Sequence, residues 1–498
     1  MTLRYACLAD RLDRMPMIKL LIPFAAGIAL ARCVVVPEWL LALLLVGAGV
    51  GALLLRSSVW LAAMLLTAGF ADVGLRRREA AVPCGVPVVC EAVVDGMPVV
   101  RGAYAAADVS VVAWRDAASG AWHPAAERVR LYADTLCRLN HGERLRFRTT
   151  VRRPAATEQG LRLRRRGYAG RASLTERNLL ERIPSPPASL HARAVARMEG
   201  LGLSGDAGAV VRAMAAGDQR GVTPQLRRRY ARSGMAHLLA VSGLHTGLLF
   251  LMVNLVLWWL PLVRRGHRIR NVAVIAAVWL FVAAAGFPAS AVRAAVMCTM
   301  FQLSLASGNP SSGLNTLAAA AFGMLLWNPA WLDDAGFRLS FVSVGAILAW
   351  GAPLHRRLRA RWPLPGVLDA AAGALLAGGV ATLAAAPLTA GWFGVVSWTG
   401  IVVSPFVLLL AAVVVGAGAL WLAMPLDALA APLRFAAEGA ASGIDAAARL
   451  AAALPGGAAE VSLPSWAVGT LYALFAAATL AAWSIEPKKN VPLSAPNN

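Results

Sequence analysis

The run IKLLIPFAAGIALARCVVV, from Ile18 to Val36, decides the fold class. A helix rises about 1.5 Å per residue, so about 20 apolar residues cross the roughly 30 Å of hydrocarbon in a bilayer. Two further runs follow at once, Trp39 to Leu55 and Val59 to Leu75, separated only by Pro37-Glu38 and Arg56-Ser57-Ser58. Gaps that short predict tight helical hairpins. More spans follow the first run, which therefore reads as an anchor rather than a cleavable signal peptide.

The same texture returns after residue 232. Apolar runs lie near Met235–Leu260, Val272–Phe287, Ala291–Ala306, Leu314–Trp327, Phe337–Trp350, Leu368–Leu388, Ile401–Leu422 and Ser465–Trp483. Together with the first three they predict a mainly α-helical polytopic membrane protein of about eleven spans. Composition agrees: of 498 residues, 58% are hydrophobic and only 15% charged, more apolar than a soluble chain of this length requires. Between Pro425 and Pro464, an alanine-rich stretch with Asp427, Arg434, Glu438, Asp445 and Arg449 predicts an amphipathic helix along a surface rather than a span.

Residues 76–232 break the pattern. They hold no spanning segment and carry 28 arginines against 14 acidic residues, a surplus of 14 within the formal net charge of +22. Val86–Val94, Asp108–Trp114, Arg128–Ala133 and Leu145–Val151 are β-branched or alternating, with turn signals at Asp95-Gly96, Ser119-Gly120 and Asn140-His141-Gly142. Four or five short strands in this space predict a small inserted β-barrel, OB-like, over residues 76–185; an SH3-like barrel shares the rhythm. Residues 186–232 predict amphipathic helix, with Arg193, Arg197, Arg212 and Arg227-Arg228-Arg229 on its polar side. The division is thus 1–75 transmembrane, 76–185 barrel, 186–232 helical segment, 233–485 transmembrane, and 486–498 tail.

Arginine placement orients the chain. Arg4, Arg11, Arg14 and Lys19 precede the first span, and basic loops at 264–270 and 355–361 follow later, so the N-terminus is predicted to be cytoplasmic and the barrel outside. Eleven spans put the C-terminus outside, against the preference of Lys488-Lys489 for the cytoplasm. An external barrel would allow a disulfide among Cys84, Cys90 and Cys137, pairing Cys137 with one of the other two; three free thiols fit the sequence equally. The six cysteines form no CxxC pair, and the seven histidines are dispersed, so no metal site or cofactor is predicted.

The most distinctive string is His237-Leu238-Leu239-Ala240-Val241-Ser242-Gly243-Leu244-His245. Polar residues opening a span face a bundle interior or a water-filled path, or else serve helix packing, for which Ser and Gly are suited. Charges near other spans, Arg293, Asp334 and Arg338, either pair with one another or offer phosphate-binding stations, since guanidinium matches phosphate oxygens. Ser242 and His245 also invite a hydrolase reading, but Ala240 occupies the first glycine position of a G-x-S-x-G elbow. On the barrel, Arg162, Arg164, Arg165 and Arg166 form the first-choice nucleic-acid patch, with Tyr104, Trp114, Trp122 and Tyr132 as stacking candidates. The bland readings are arginine against anionic lipid headgroups and aromatics in the core.

The 237–245 string resembles the signature of the ComEC family, the inner-membrane channel of natural DNA uptake. Ala216-Gly217-Asp218 is similar to that family's upstream Gly-Asp step, and residues 286–294 to its Gly-Phe-x-x-Ser-x-x-Arg-Ala segment. Asn328-Pro329 and residues 334–341 are similar to its Asn-Pro and Asp-x-Gly-Phe-x-Leu-Ser-Phe run. The resemblance implies a multi-pass inner-membrane channel for single-stranded DNA, lined by His237, Ser242, Gly243, His245, Arg293, Asp334 and Arg338. Gly400 stands where the family tends to carry asparagine. Many members add a metallo-β-lactamase-like nuclease, but no HxHxDH string occurs here, nor any nucleotide-binding G-x-x-x-x-G-K-[ST] loop. The implied partners are therefore single-stranded DNA, membrane lipids, and separate receptor, motor and nuclease proteins. A transporter of another polyanion or of a lipid-linked substrate is the alternative.

Overall fold

The computed structural model describes residues 13, 15–34, 36–55, 57–75, 82–95, 98–101, 104–116, 120–134, 137, 139, 142–155, 157, 160, 163–164, 167–183, 190–307, 312–424, 426–454 and 457–485. Helices α1 (Pro16–Leu30), α2 (Glu38–Leu55) and α3 (Ser58–Leu75) form the predicted hairpins. Their outward faces are apolar: Trp39 is 70% and Leu53 79% exposed, a pattern that suits lipid and would aggregate in water. α1 and α3 meet backbone to backbone. A Cβ on Gly27 would fall 1.9 Å from the Leu66 carbonyl oxygen, and one on Gly69 2.3 Å from that of Phe24, so only glycine permits this crossing.

A seven-stranded sheet follows, formed by β1 (Pro87–Val94), β2 (Val99–Arg101), β3 (Tyr104–Asp116), β4 (Trp122–Asp134), β5 (Arg144–Thr150), β6 (Tyr168–Leu174) and β7 (Leu179–Ile183). Its order is β6-β4-β3-β1-β5-β7, with β2 added to β3; β4 and β6 run parallel and the other pairs antiparallel. A bridge between Arg152, just past β5, and Arg171 of β6 joins one end of the path to the strand next to its other end and closes the barrel. Gly170 allows that approach, because a Cβ there would sit 2.3 Å from Val151 Cγ1. Alternate residues fill the interior, among them Val88, Val109, Leu131, Leu145, Phe147 and Leu174. The sheet thus extends past the four runs legible in the sequence. β6 reads YAGRASL, whose glycine, alanines and serine carry little β-propensity, so neighbouring strands decide its conformation.

Cys84, Cys90 and Cys137 are free thiols, one of the two arrangements that the sequence leaves open. Cys90 points into the barrel core, where burial pushes its thiol up to about 12. Cys84 lies against the carbonyl of Val82 instead, at 3.8 Å.

Helices α4 (Leu190–Gly200), α5 (Gly205–Ala216) and α6 (Pro224–Arg232) occupy the stretch read as amphipathic. A 3-10 turn, Ala236–Leu239, leads into α7 (Gly243–Val256); α8 (Gly266–Ala284), α9 (Ala289–Ala306) and α10 (Gly313–Trp327) follow. After a further 3-10 turn, Pro329–Asp333, α11 (Ala335–Ala346) passes through a π-helical turn into α12 (Ala352–Arg361). The chain continues in α13 (Gly366–Phe393), α14 (Thr399–Ala423), α15 (Asp427–Ala453) and α16 (Ser465–Ile485), with the short strands β8 (Val395–Ser397) and β9 (Ala458–Glu460) paired. Among the described residues, eight helical segments are long and apolar enough to cross a membrane, and three apolar helices, Pro16–Leu30, Ser58–Val73 and Gly313–Trp327, are shorter. Each apolar run read from the sequence falls on one of these.

α15 is amphipathic and is not among the helices apolar enough to span. Its small-residue face, including Ala437, Ala441, Ile444 and Ala448, shares a core with α5, α6 and α14. Its charges also meet protein: Asp445 accepts from Arg229 Nη1 at 2.7 Å and pairs with Arg449 at 2.8 Å.

Candidate functional site

The polar string opening α7 is first of all a helix terminus. Ser242 is the N-cap, its Oγ accepting from the His245 N–H at 3.4 Å, while His245 Nδ1 accepts from the Ser242 N–H at 3.2 Å. This reciprocal capping box satisfies two backbone donors and turns the imidazole toward the backbone rather than the hydroxyl. The geometry therefore lacks the Ser–His contact a nucleophile needs. His245 is wholly buried, whereas His237 is exposed on the 3-10 turn. Gly243 faces α9, since a Cβ there would lie 3.5 Å from that of Ala294.

α9 carries the next group of residues. Its entry is a tight turn in which Gly286 (φ 81°) and Phe287 (φ 52°) both take left-handed backbone. A Cβ on Gly286 would press within 3.2 Å of the His191 ring, and Phe287 pays about 1–2 kcal/mol for its conformation. One turn on, Ser290 Oγ donates to the Val241 carbonyl at 2.6 Å, tying α9 to the approach to α7. Arg293, only 8% exposed, then reaches the other way, toward α11.

There it meets Asp334, the N-cap of α11. The carboxylate Oδ1 accepts from the Phe337 N–H at 2.9 Å and lies 3.5 Å from Arg293 Nη1; Arg293 Nε is 3.4 Å from Ser340 Oγ. Gly336 makes room, because a Cβ there would stand 2.7 Å from Arg293 Nη2 and 3.0 Å from Asp334 Oδ1. Asp333, 7% exposed, is shared by Arg338 Nη2 at 3.4 Å and Arg32 Nη1 at 2.5 Å. Arg338 Nε donates to the Leu332 carbonyl at 2.6 Å, and its guanidinium lies 5.6 Å from the Trp392 ring centre.

Arg338 also lines a cavity of about 360 Å³ between α11, α13 and α16, whose walls include Phe337, Phe341, Tyr472 and Ser465. The structure thus joins Arg293, Asp334 and Arg338 in one cluster, while Gly243 meets α9 at Ser290 and Ala294. Gly336 and Ser340, motif positions with no predicted site role, also belong to the cluster, as do Arg32 and Trp392, which the sequence reading did not single out. Arg32 shows in the sequence only as an arginine inside an apolar run, a signal that an intramembrane partner was to be sought.

The upstream Gly-Asp step is a second built feature. Asp218 is buried and accepts from Arg220 Nε and Nη2, both at 2.9 Å. Burial alone would raise its carboxyl, but the Arg220 hydrogen bonds outweigh it and hold the group below the usual range. His191, on α4, directs Nδ1 at the Ala284 carbonyl at 2.8 Å, and burial lowers its imidazole below the ordinary value.

On the barrel, Arg162, Arg165 and Arg166 lie outside the described residues; Arg164 donates to the Pro154 carbonyl at 2.7 Å. Many other barrel arginines are paired: Arg130 with Asp108, Arg144 with Glu91, Arg182 with Glu143, and Arg146 with Glu91 and Glu181. A cleft of about 500 Å³ is different, being lined by Arg148, Arg152 and Arg171 with Tyr132, Thr149 and Ser173, and, among the described residues, by no carboxylate. Of the stacking candidates, Tyr104 packs edge-on to Tyr132 and Trp114 stacks on His123, while exposed Trp122 lies between Arg115 and Arg146 at 5.4 and 5.3 Å.

Comparison with known proteins adds a further finding. A family model described as Competence protein matches residues 214–486, which include α7 to α16 and all of the cluster except Arg32. Residues of this chain are 32% identical over 146 positions to ComE operon protein 3 of Bacillus subtilis (strain 168); the match covers 29% of this chain and 18% of that relative. No solved structure matches.

Proposed function

The chain belongs to the competence protein family, of the ComEC type, and from that premise we propose that it passes single-stranded DNA across the inner membrane during natural transformation. Eleven helices cross the bilayer with the N-terminus in the cytoplasm and the β-domain in the periplasm. That domain is an OB-type barrel: its strand order, parallel β4–β6 pair and Arg152–Arg171 closure support this reading. It receives DNA on cationic surface, and one strand then moves past α9 and α11.

One observation carries the proposal. Two separate segments of the family-matched region, 286–294 and 334–341, close into a single arginine–aspartate cluster with a cavity at its edge. An unpaired phosphate in hydrocarbon is prohibitive, so a strand needs a wet or cationic path. Guanidiniums already held by protein hydrogen bonds offer phosphates a contact that is neither absent nor tight, as conduction demands. The partners of this activity, a DNA receptor, a motor and a nuclease, are proposed as separate proteins.

The test is transformation with labelled duplex DNA. Arg293→Gln or Arg338→Gln, at unchanged protein level in the membrane, is expected to leave DNA bound outside and abolish transformants. A deletion strain that imports labelled DNA as well as its parent would end the proposal.

A further inference from the structure

α11, the π-helical turn and α12 run without a break from Ala335 to Arg361, 27 residues, and α13 returns over 28. At about 1.5 Å per residue each is about 40 Å long, whereas the hydrocarbon needs about 30 Å and a bilayer with its headgroups about 40–45 Å. The hairpin that joins them, residues 352–369, is thus long enough to stand in a headgroup layer. Its side chains suit that layer and not open water. Trp362 is 61% and Val367 84% exposed, with Leu354, Leu358, Leu364 and Leu368 exposed beside them. Arg356 and Arg361 are exposed too, and make no ion pair among the described residues. Leu354, Leu358 and Arg361 stand at i, i+4 and i+7, hence on one face of α12, and the Arg361 guanidinium lies 5.8 Å from the Trp362 ring centre. The one carboxylate in the hairpin sequence, Asp369, is turned inward. It accepts from His355 Nε2 at 3.1 Å and lies 3.4 Å from Arg359 Nη1, clasping α12 to α13. A Cβ on Gly373 would come within 3.1 Å of the His355 ring, so glycine leaves room for the clasp.

Resting on the reading of α11 and α13 as spans, we infer that this hairpin is a binding surface for anionic phospholipid headgroups. Tryptophan and leucine settle at the boundary of headgroup and acyl chain, while arginine extends its charge to the phosphates above. The apolar side chains accept any lipid; Arg356 and Arg361 make the choice anionic, because guanidinium matches phosphate oxygens and gains from a negative surface. A nucleic acid would satisfy the arginines but leave Val367 and Leu368 in water, whereas acyl chains cover them. α11 and α13 also wall the cavity at Phe337, Phe341 and Leu388. Lipid held at the hairpin therefore fixes the depth of two helices that border it.

The experiment titrates the full-length protein in detergent micelles with phosphatidylglycerol or phosphatidylcholine and follows its melting temperature, which a ligand of the folded state raises. Phosphatidylglycerol is expected to raise it and phosphatidylcholine to leave it in place. An arginine near an anionic surface is worth about fivefold in affinity. Arg361→Gln should therefore move the midpoint about fivefold to higher lipid, and Arg356→Gln with Arg361→Gln about thirtyfold. Arg356→Lys with Arg361→Lys should keep the wild-type midpoint. Arg148→Gln with Arg152→Gln removes the same charge from the barrel and should change nothing. An equal response to the two lipids, or an equal loss from the barrel pair, overturns the inference. So does a rise produced by oligothymidylate and lost in the Arg356–Arg361 pair, which would give the surface to nucleic acid. If alkaline carbonate strips the chain from membranes, the reading of α11 and α13 as spans has itself failed. Retention in the membrane without a phosphatidylglycerol effect defeats the inference alone.

Discussion

At the residue scale, the motif positions divide between chemistry and geometry. Ser290, Arg293, Asp334 and Ser340 make side-chain contacts, whereas Gly286 and Gly336 supply absent atoms. Gly336 is the sharper case, because the atoms its missing Cβ would meet are the tip of Arg293 and a carboxylate oxygen, and a flexible arginine tip can retreat. Gly336→Ala is therefore expected to leave the fold and membrane level intact while separating Arg293 from Asp334. Transformation should fall at least tenfold with the melting temperature in detergent changed by no more than a few degrees, and a matched loss of both would refute the argument. His191 gives a pH prediction. Its folded imidazole is held below the ordinary value near 6.5, so the folded state takes up fewer protons than the unfolded chain as pH falls. Stability contributed by neutral His191 is present above that value and is lost on acidification below it. The charged groups beside it are Asp218 and Arg220, and Asp218, held low, contributes above the usual carboxylate range and loses its share only at more acidic pH. Melting temperature should drop between pH 7.5 and 5.5, and His191→Gln should flatten that drop; an unchanged pH profile would remove His191 from the account.

At the scale of elements, helices were legible where one physical rule sufficed. Length and apolarity located the eleven apolar helices, because lipid imposes both. The rule fell short where protein is the neighbour: α15 is amphipathic and not a span, as read, but the core that its alanine face meets and the place of Asp445 between Arg229 and Arg449 were not legible. It fell short again at β6 and β7, short segments shaped by neighbouring strands rather than by their own side chains. The cluster was half legible. Arg293, Asp334 and Arg338 announce themselves as charges among apolar runs, but the Arg32–Asp333 contact joins residues 301 positions apart, and no periodicity reports it. The α1–α3 crossing was likewise hidden, since Gly27 and Gly69 share no short motif. Those glycines set backbone against backbone, which cannot retreat as a side chain does. Gly27→Ala or Gly69→Ala should destabilise the hairpin by about 1–3 kcal/mol, seen as a lower melting temperature in detergent and faster proteolysis within residues 16–75. Wild-type values for both variants would mean that the helices can slide apart freely.

At the scale of the whole molecule, net charge alone is a poor guide to where a polyanion binds. Of the 22 surplus positive charges, 14 fall in residues 76–232, yet much of the barrel's arginine is spent on internal pairs. Among the described residues, Arg148, Arg152 and Arg171 line a cleft without a carboxylate, which makes it the stronger candidate for phosphate contact than the crowded arginines of β4 and β5. Counterion release turns this into a measurement, because each phosphate neutralised on a single strand contributes about 0.7 to the slope of log affinity against log salt. Replacing all three by glutamine should weaken binding of a labelled oligothymidylate to the full-length protein in neutral-lipid nanodiscs and flatten that slope by about 2. Arg293→Gln, placed among the spans, should leave the slope near wild type while still blocking transformation. The two variants then separate capture from passage. A triple variant with the wild-type slope would show that the strand is held elsewhere, and the capture step would have to be moved off this cleft.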